Sequence, residues 1–400
     1  MITQAHTQTP ARTQLARLTY QAKSYLHCFI RVSIFVVLGS LLVACQSPTR
    51  QPVKIAPTVY HEFLVGTYNK NLNEGIWSIK LNATTGELST PTNVAAAINP
   101  SYLAWNKNKN RLFAVVETKD GGITQYQKQP QDLSFVKTYS LQKIAFAPCY
   151  ISLSPNEKYL ATANYVSGDV QFFDISTNKP KLLKTIKHQG KGPSARQKSS
   201  HLHWIAWSPD GKDIYSADLG GDAIYHYQLA QGEFIDKGIA YKASPGDGPR
   251  HMTFHPQTHQ VYVLNELSNS VTVLQRQPET GKLSYLQKRS TLNANFTKFS
   301  KAAAIKISSD GQYLYASNRG ANTLAVFSIR KNGYLRRIQN ISTGGEEPRD
   351  FTISPDGHFI VVANQNSNSL SVLIRNPTTG LLSNSQHQQS LITPVFVGAL

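Results

Sequence analysis

The sequence predicts an all-β fold, a seven-bladed β-propeller of four-stranded blades. Three observations predict it: a repeat of nearly fixed period, turn signals at two places in the repeat, and no window of helical period of comparable length between them. Six windows of equal length align without gaps: NPSYLAWNKNKNRLFAVVE ending at Glu117, APCYISLSPNEKYLATANY at Tyr165, HLHWIAWSPDGKDIYSADL at Leu219, GPRHMTFHPQTHQVYVLNE at Glu266, KAAAIKISSDGQYLYASNR at Arg319 and EPRDFTISPDGHFIVVANQ at Gln365. A seventh, HEFLVGTY ending at Tyr68, keeps only the final strand. Successive ends lie 46 to 54 residues apart, the length of one four-stranded blade.

Each window reads as strand, turn, strand. Apolar alternation leads into Ser208-Pro209-Asp210-Gly211, Ser354-Pro355-Asp356-Gly357 or a relative such as Ser309-Asp310-Gly311, and a second alternation follows. Proline sets the first corner of such a turn and glycine accepts a positive φ, so the connection is a tight hairpin. A second hairpin is expected where the two outer strands meet, at Thr85-Gly86-Glu87-Leu88, Thr280-Gly281-Lys282-Leu283 and Thr379-Gly380-Leu381-Leu382. Pro394-Val395-Phe396-Val397 is the candidate strand that joins the first and last blades and removes the open edge.

The propeller is assigned to residues 59–400, preceded by a signal peptide at 1–44 and a polar, proline-bearing tether at 45–58. Cys28 to Ala44 is an apolar stretch with basic residues before it and small ones after, too short for a comfortable membrane span of about 20 apolar residues. Leu42-Val43-Ala44-Cys45 resembles the bacterial lipobox, which makes Cys45 the expected lipidated first residue of the mature chain. Gln46, in place of an aspartate, directs the expectation to the periplasmic face of the outer membrane. Beyond Cys45 only Cys149 remains, so packing must hold the fold without a disulfide framework.

Hydrophobic residues make up 40% of the chain and charged ones only 16%, which excludes a disordered protein. The formal charge is +18, and four of the basic residues lie in the first 44. The rest are scattered over many loops without a basic run interleaved with aromatics, so nucleic acid is not an expected partner. The expected partners are a small-molecule substrate and, through the anchor, a membrane, with the domain acting as a monomer.

Loops at one mouth of a propeller converge on the central channel, which makes that mouth the default site. Repeat alignment turns equivalent positions into rings. The third window position gives Ser101, Cys149, His203, Arg250, Ala303 and Arg349; the last gives Tyr68, Glu117, Tyr165, Leu219, Glu266, Arg319 and Gln365. The penultimate ring is rich in Asn and Asp (Asn164, Asp218, Asn265, Asn318, Asn364), which turn chemistry explains. A site requires different groups from different blades, and His203, Arg250, Glu266 and Arg319 provide them. No metal and no cofactor is expected. His201 and His203 share a strand face without a partner motif for zinc, and Glu117, Asp218 and Asn265 are the oxygen donors a calcium ion would need.

These windows resemble the propeller 6-phosphogluconolactonase family, which shares its fold with the fungal carboxymuconate-lactonizing enzymes. The resemblance runs from about residue 60 to 397 and rests on Val65-Gly66-Thr67-Tyr68, Ala163-Asn164-Tyr165, His201-Leu202-His203, Gly248-Pro249-Arg250-His251, Leu264-Asn265-Glu266, Ser317-Asn318-Arg319, Pro348-Arg349 and Ala363-Asn364-Gln365. Val116 departs from the pattern by replacing the Asn usual before Glu117. The resemblance implies lactone hydrolysis, a carboxylic ester hydrolase activity, with a catalytic set of His203, Glu266, Arg250 and Arg319. His201, Arg349, Gln365, Tyr165 and Asp218 are the expected substrate-binding residues. Glu266 or His203 is the expected base, with the other handling the leaving-group proton, and the arginines hold an anionic group or the oxyanion. Export points to a gluconolactone-type substrate. The alternatives are a binding propeller without catalysis and a muconate-type lactonizing enzyme.

Overall fold

The computed structural model describes residues 58–69 and 74–400; the segments expected to be a signal peptide and lipobox, with Cys45, and nearly all of the expected tether lie outside these. The described residues form seven antiparallel sheets of four strands each, and no helix among them. Blade 1 is composite. Its innermost strand is Pro394–Ala399, followed outward by Tyr60–Thr67, Gly75–Asn82 and Thr92–Ala96. Blades 2 to 7 each run from the inside outward in chain order, with innermost strands Leu103–Trp105, Pro148–Leu153, Leu202–Trp207, Pro249–Phe254, Lys301–Ile307 and Pro348–Ile353.

The six gapless windows thus correspond to the first two strands of blades 2 to 7, and the isolated HEFLVGTY to the second strand of blade 1. The C-terminal strand closes the ring in the register Phe63 with Ala399 and Val65 with Val397. The hairpins fall where the turn chemistry places them. Gly211 (φ 72°) and Gly281 (φ 71°) occupy the left-handed region, and a side chain on Gly281 would run into the ring of His226.

Adjacent blades are held by apolar faces. Ala161 and Phe172 of blade 3 pack with Leu202 and Ile205 of blade 4. Tyr215 joins Met252 and Val261 across blades 4 and 5, and Phe63 and Val65 meet Val361 and Val372 across blades 1 and 7. Full burial of a large apolar side chain contributes about 1.5–3 kcal/mol, so these faces fix the blades and with them the distances across the channel mouth.

Candidate active site

The third window position has a backbone signature. In blades 3, 4, 5 and 7 the pairing of innermost and second strands skips one residue, and the skipped residues are Cys149, His203, Arg250 and Arg349. In blade 6 the shift takes in Ala303 and Ala304. A bulge breaks the pleat and re-aims a side chain, which turns His203, Arg250 and Arg349 out of ordinary strand alternation. The last window position follows the second strand and is still pinned by its backbone: the Tyr165, Leu219, Glu266 and Gln365 N–H groups donate to the carbonyls of Ala147, His201, Gly248 and Glu347.

Glu266 is the centre. It is 2% exposed, and its Oε2 lies 3.0 Å from Arg250 Nε and 2.7 Å from Arg319 Nη2, both buried. Arg196 Nη1 stands 3.2 Å from Oε1. Burial alone would raise the Glu266 carboxyl, but Arg319, Arg250, Arg196 and Arg349 outweigh it and hold the group down at about 2. Burial, with repulsion from Arg319 and Arg349, brings Arg250 down to about 9, so it is still a cation at neutral pH. Arg250 also donates to the Ala303 carbonyl and, at 3.1 Å, to His251 Nε2; Arg319 donates to the Ala302 carbonyl at 3.0 Å. An arginine can only donate, so His251 accepts at Nε2 and carries its proton on Nδ1.

A second cluster spans blades 7, 1 and 2. Arg349 Nη2 donates to the Tyr68 hydroxyl at 2.7 Å, and that hydroxyl lies 2.9 Å from both oxygens of Glu117. The Arg349 guanidinium also sits 5.2 Å from the centre of the Tyr68 ring. Burial raises the Tyr68 phenol, so it is a neutral donor throughout the working pH range.

His203 sits among rings, 5.3 Å from His251 and 5.6 Å from Tyr165. Burial, then the charges of Arg250 and Arg349, depress its proton affinity well below the ordinary 6.5, so the imidazole is neutral. Four buried polar atoms at this mouth have no hydrogen bond of usable geometry: Glu266 Oε1, Arg250 Nε, Arg319 Nε and His203 Nδ1. The arginine contacts to Glu266 at 3.0 and 3.2 Å are therefore ion pairs out of hydrogen-bond alignment. Buried groups are normally satisfied by protein or by water, so these four atoms are positions that a water or a ligand atom can occupy.

The remaining expected residues divide. His201 stacks on Tyr165 at 4.4 Å and directs Nδ1 at the Tyr165 carbonyl, 2.8 Å away, which props that tyrosine beside Arg196. Asp218 Oδ1 accepts the backbone N–H groups of His201, Gly220 and Gly221 at 2.7–3.0 Å, so it shapes the loop. Gln365 is half-buried, and among the described residues no hydrogen bond or ion pair links its side chain to the Glu266 cluster. Asn265 Nδ2 is engaged by Ser270 and Thr272, and Glu117 by Tyr68. Among the described residues no group of three His, Cys, Asp or Glu side chains is placed to hold a metal ion. Cys149 is buried, its thiol is pushed up by that burial, and Sγ faces the Leu202 carbonyl at 3.6 Å, so it is not a nucleophile.

Sequence reasoning missed Arg196, and it placed Tyr68 and Glu117 in the ring without pairing them. Arg196 lies in a connection outside the repeat register, where alignment of blades carries no signal.

The mouth of this propeller sets cationic guanidinium groups around one carboxylate beside a neutral imidazole, a charged and buried cluster of the kind found in enzyme sites. The model of the lactonase family of seven-bladed β-propellers matches residues 62–399, and the chain belongs to that family. A Bacillus subtilis 6-phosphogluconolactonase is 35% identical over 341 residues, covering 83% of this chain and 96% of that protein. A periplasmic gluconolactonase of Pseudomonas aeruginosa superposes with a TM-score of 0.81 at 31% identity, covering 86% of this chain and 99% of the other. A Lactobacillus plantarum protein of known crystal structure gives 0.80 at 33% identity, covering 86% and 100%.

Proposed function

We propose that this lactonase hydrolyses a sugar lactone of the gluconolactone type at the Glu266 mouth. The observation that carries the reading is the convergence of Glu266, Arg250 and Arg319 beside a neutral His203, with open hydrogen-bonding positions on all four. Water adds to the ring carbonyl, the ring C–O bond breaks, and the product is an open-chain hydroxy acid. Arg250 and Arg319 offer fixed N–H groups to the tetrahedral oxyanion. Glu266 takes the proton from the attacking water through Oε1, and the neutral His203 relays that same proton to the departing ring oxygen, which leaves as a hydroxyl while Glu266 returns to its carboxylate form. The two relatives named for gluconolactone and 6-phosphogluconolactone support this substrate class.

The test is a panel of sugar lactones presented to the purified domain, with acid release followed by pH-stat and corrected for spontaneous opening. Enzyme-dependent release is expected, and its absence across the panel would leave a binding propeller instead. The lipobox at Leu42 to Cys45 and the periplasmic relative support export, lipidation at Cys45 and an outer-membrane address. Labelled palmitate incorporated by the wild type and lost in Cys45→Ala checks the anchor. The domain acts as a monomer, which light scattering checks.

A further inference from the structure

Of the arginines at the mouth, Arg250 and Arg319 are 1% and 4% exposed and occupied by Glu266 and backbone carbonyls. Arg349 is committed to Tyr68. Arg196 differs. Its side chain is 48% exposed, yet it reaches Glu266 Oε1 at 3.2 Å and donates to the Tyr165 hydroxyl at 2.9 Å. It covers the solvent side of the carboxylate whose other oxygen is held from within.

Its backbone is fixed while its side chain stands half in solvent. The neighbouring Gln197 is 1% exposed and staples the connection: Nε2 donates to the Leu219 carbonyl at 2.9 Å, Oε1 accepts from Ser194 N at 3.2 Å, and its backbone carbonyl accepts from Gly192 N at 3.0 Å. Gly192 packs so closely on the Gln197 amide that a Cβ there would collide with it. A rigid loop thus presents one long, half-solvated cation over a buried oxygen that has no aligned hydrogen bond.

We propose that Arg196 is a displaceable cap on Glu266 that selects lactones bearing an anionic group. The incoming anion draws the guanidinium off Oε1 and uncovers the carboxylate, whereas a neutral lactone reacts against the covered carboxylate and therefore more slowly. This rests on the lactone reading of the site. The exchange is chemically balanced, one anion replacing another beside the same cation, and a neutral lactone has no comparable means to move it. Glu266 is faced by Arg250, Arg319 and Arg349 from blades 5, 6 and 7, by Tyr165 and Cys149 from blade 3, and by Arg196 from the loop. Loss of Arg196 removes one of four cations holding the carboxyl down, so its titration must move upward.

The experiment uses Arg196→Ala and Arg196→Lys, with exposed Lys198→Ala as a control for loss of general positive charge. Glucono-lactone and its 6-phosphate, which differ only in the anionic group, are the paired substrates. In Arg196→Ala the KM for the phosphorylated lactone should rise about 10–100-fold, the loss of a charge-assisted contact, while kcat/KM for the neutral lactone should rise about threefold or more, because Glu266 is no longer covered. Arg196→Lys should recover part of the loss and Lys198→Ala should change neither substrate. Equal effects on both lactones would overturn the proposal. Titration of the Glu266 carboxyl by ¹³C NMR, assigned with Glu266→Gln, gives a readout independent of turnover. An upward shift in Arg196→Ala is expected, and an unmoved titration would sink the cap even if lactones are hydrolysed. Failure of the wild type to hydrolyse any lactone would instead sink the activity and leave the titration to decide the cap.

Discussion

Arg250 and Arg319, from adjacent blades, meet on a single oxygen of Glu266, at 3.0 and 2.7 Å. The other oxygen, also buried, faces Arg196 at 3.2 Å. Glu266→Gln keeps the volume and removes both the base and the counter-charge of two buried cations. It should lower kcat/KM about 10²- to 10⁴-fold and cost about 3–5 kcal/mol of stability, since one partner of a buried charge cluster is gone. Lactone kinetics and urea unfolding check the two effects separately.

The pH dependence follows from groups held away from their ordinary values. His203 and His251 resist a proton in the fold because burial and then Arg250 disfavour it, while the unfolded chain accepts one near 6.5. Stability should therefore fall as pH drops below about 6.5. Glu266 is depressed from 4.5 to about 2, so its contribution is present above 4.5 and is lost as pH falls towards 2. Thermal melts between pH 8 and 3 should show a decline in two stages, the first reduced in His251→Asn. The rate profile should lack an acid limb near 6.5, because His203 is already neutral there.

Tyr68→Phe deletes one hydroxyl that serves Arg349 and Glu117 at once. Both partners then lose a mostly buried bond. A loss of about 1–3 kcal/mol is expected, measured by chemical denaturation, with activity reduced through KM, since neither group touches the reacting carbonyl in the proposed scheme.

A chain ending at Thr393 lacks the innermost strand of blade 1 and with it buried Val395, Phe396 and Val397. It also leaves Tyr60–Thr67 with an unpaired inner edge. The loss should be at least about 5 kcal/mol, visible as aggregation on expression or a collapsed melting transition.

The architecture was legible because each blade repeats the same alternation and the same turn residues. Ser208-Pro209-Asp210-Gly211 and Thr280-Gly281-Lys282-Leu283 name their hairpins without help from distant contacts. The ring positions were legible for the same reason, including the arginines and Glu266. The bulges at His203, Arg250 and Arg349 were not, because a one-residue slip in pairing depends on the neighbouring strand. The Asn and Asp positions were expected to close turns on nearby backbone. Asp218 does so, accepting from Gly220 N and Gly221 N, whereas Asn164 reaches Asp169, Asn265 reaches Ser270 and Thr272, and Asn364 reaches Ser371, all on the next strand. The Arg349, Tyr68 and Glu117 contacts depend on closure between the chain's two ends, which no local pattern encodes.

That closure governs when the molecule becomes competent. Tyr68 and Arg349 are 281 positions apart and become neighbours only after Pro394–Ala399 docks beside Tyr60–Thr67. A partly folded chain, however many blades it has formed, holds an unfinished mouth. The Arg349–Tyr68–Glu117 cluster therefore assembles only when that six-residue strand is in place, so the strand acts as a latch on the ring.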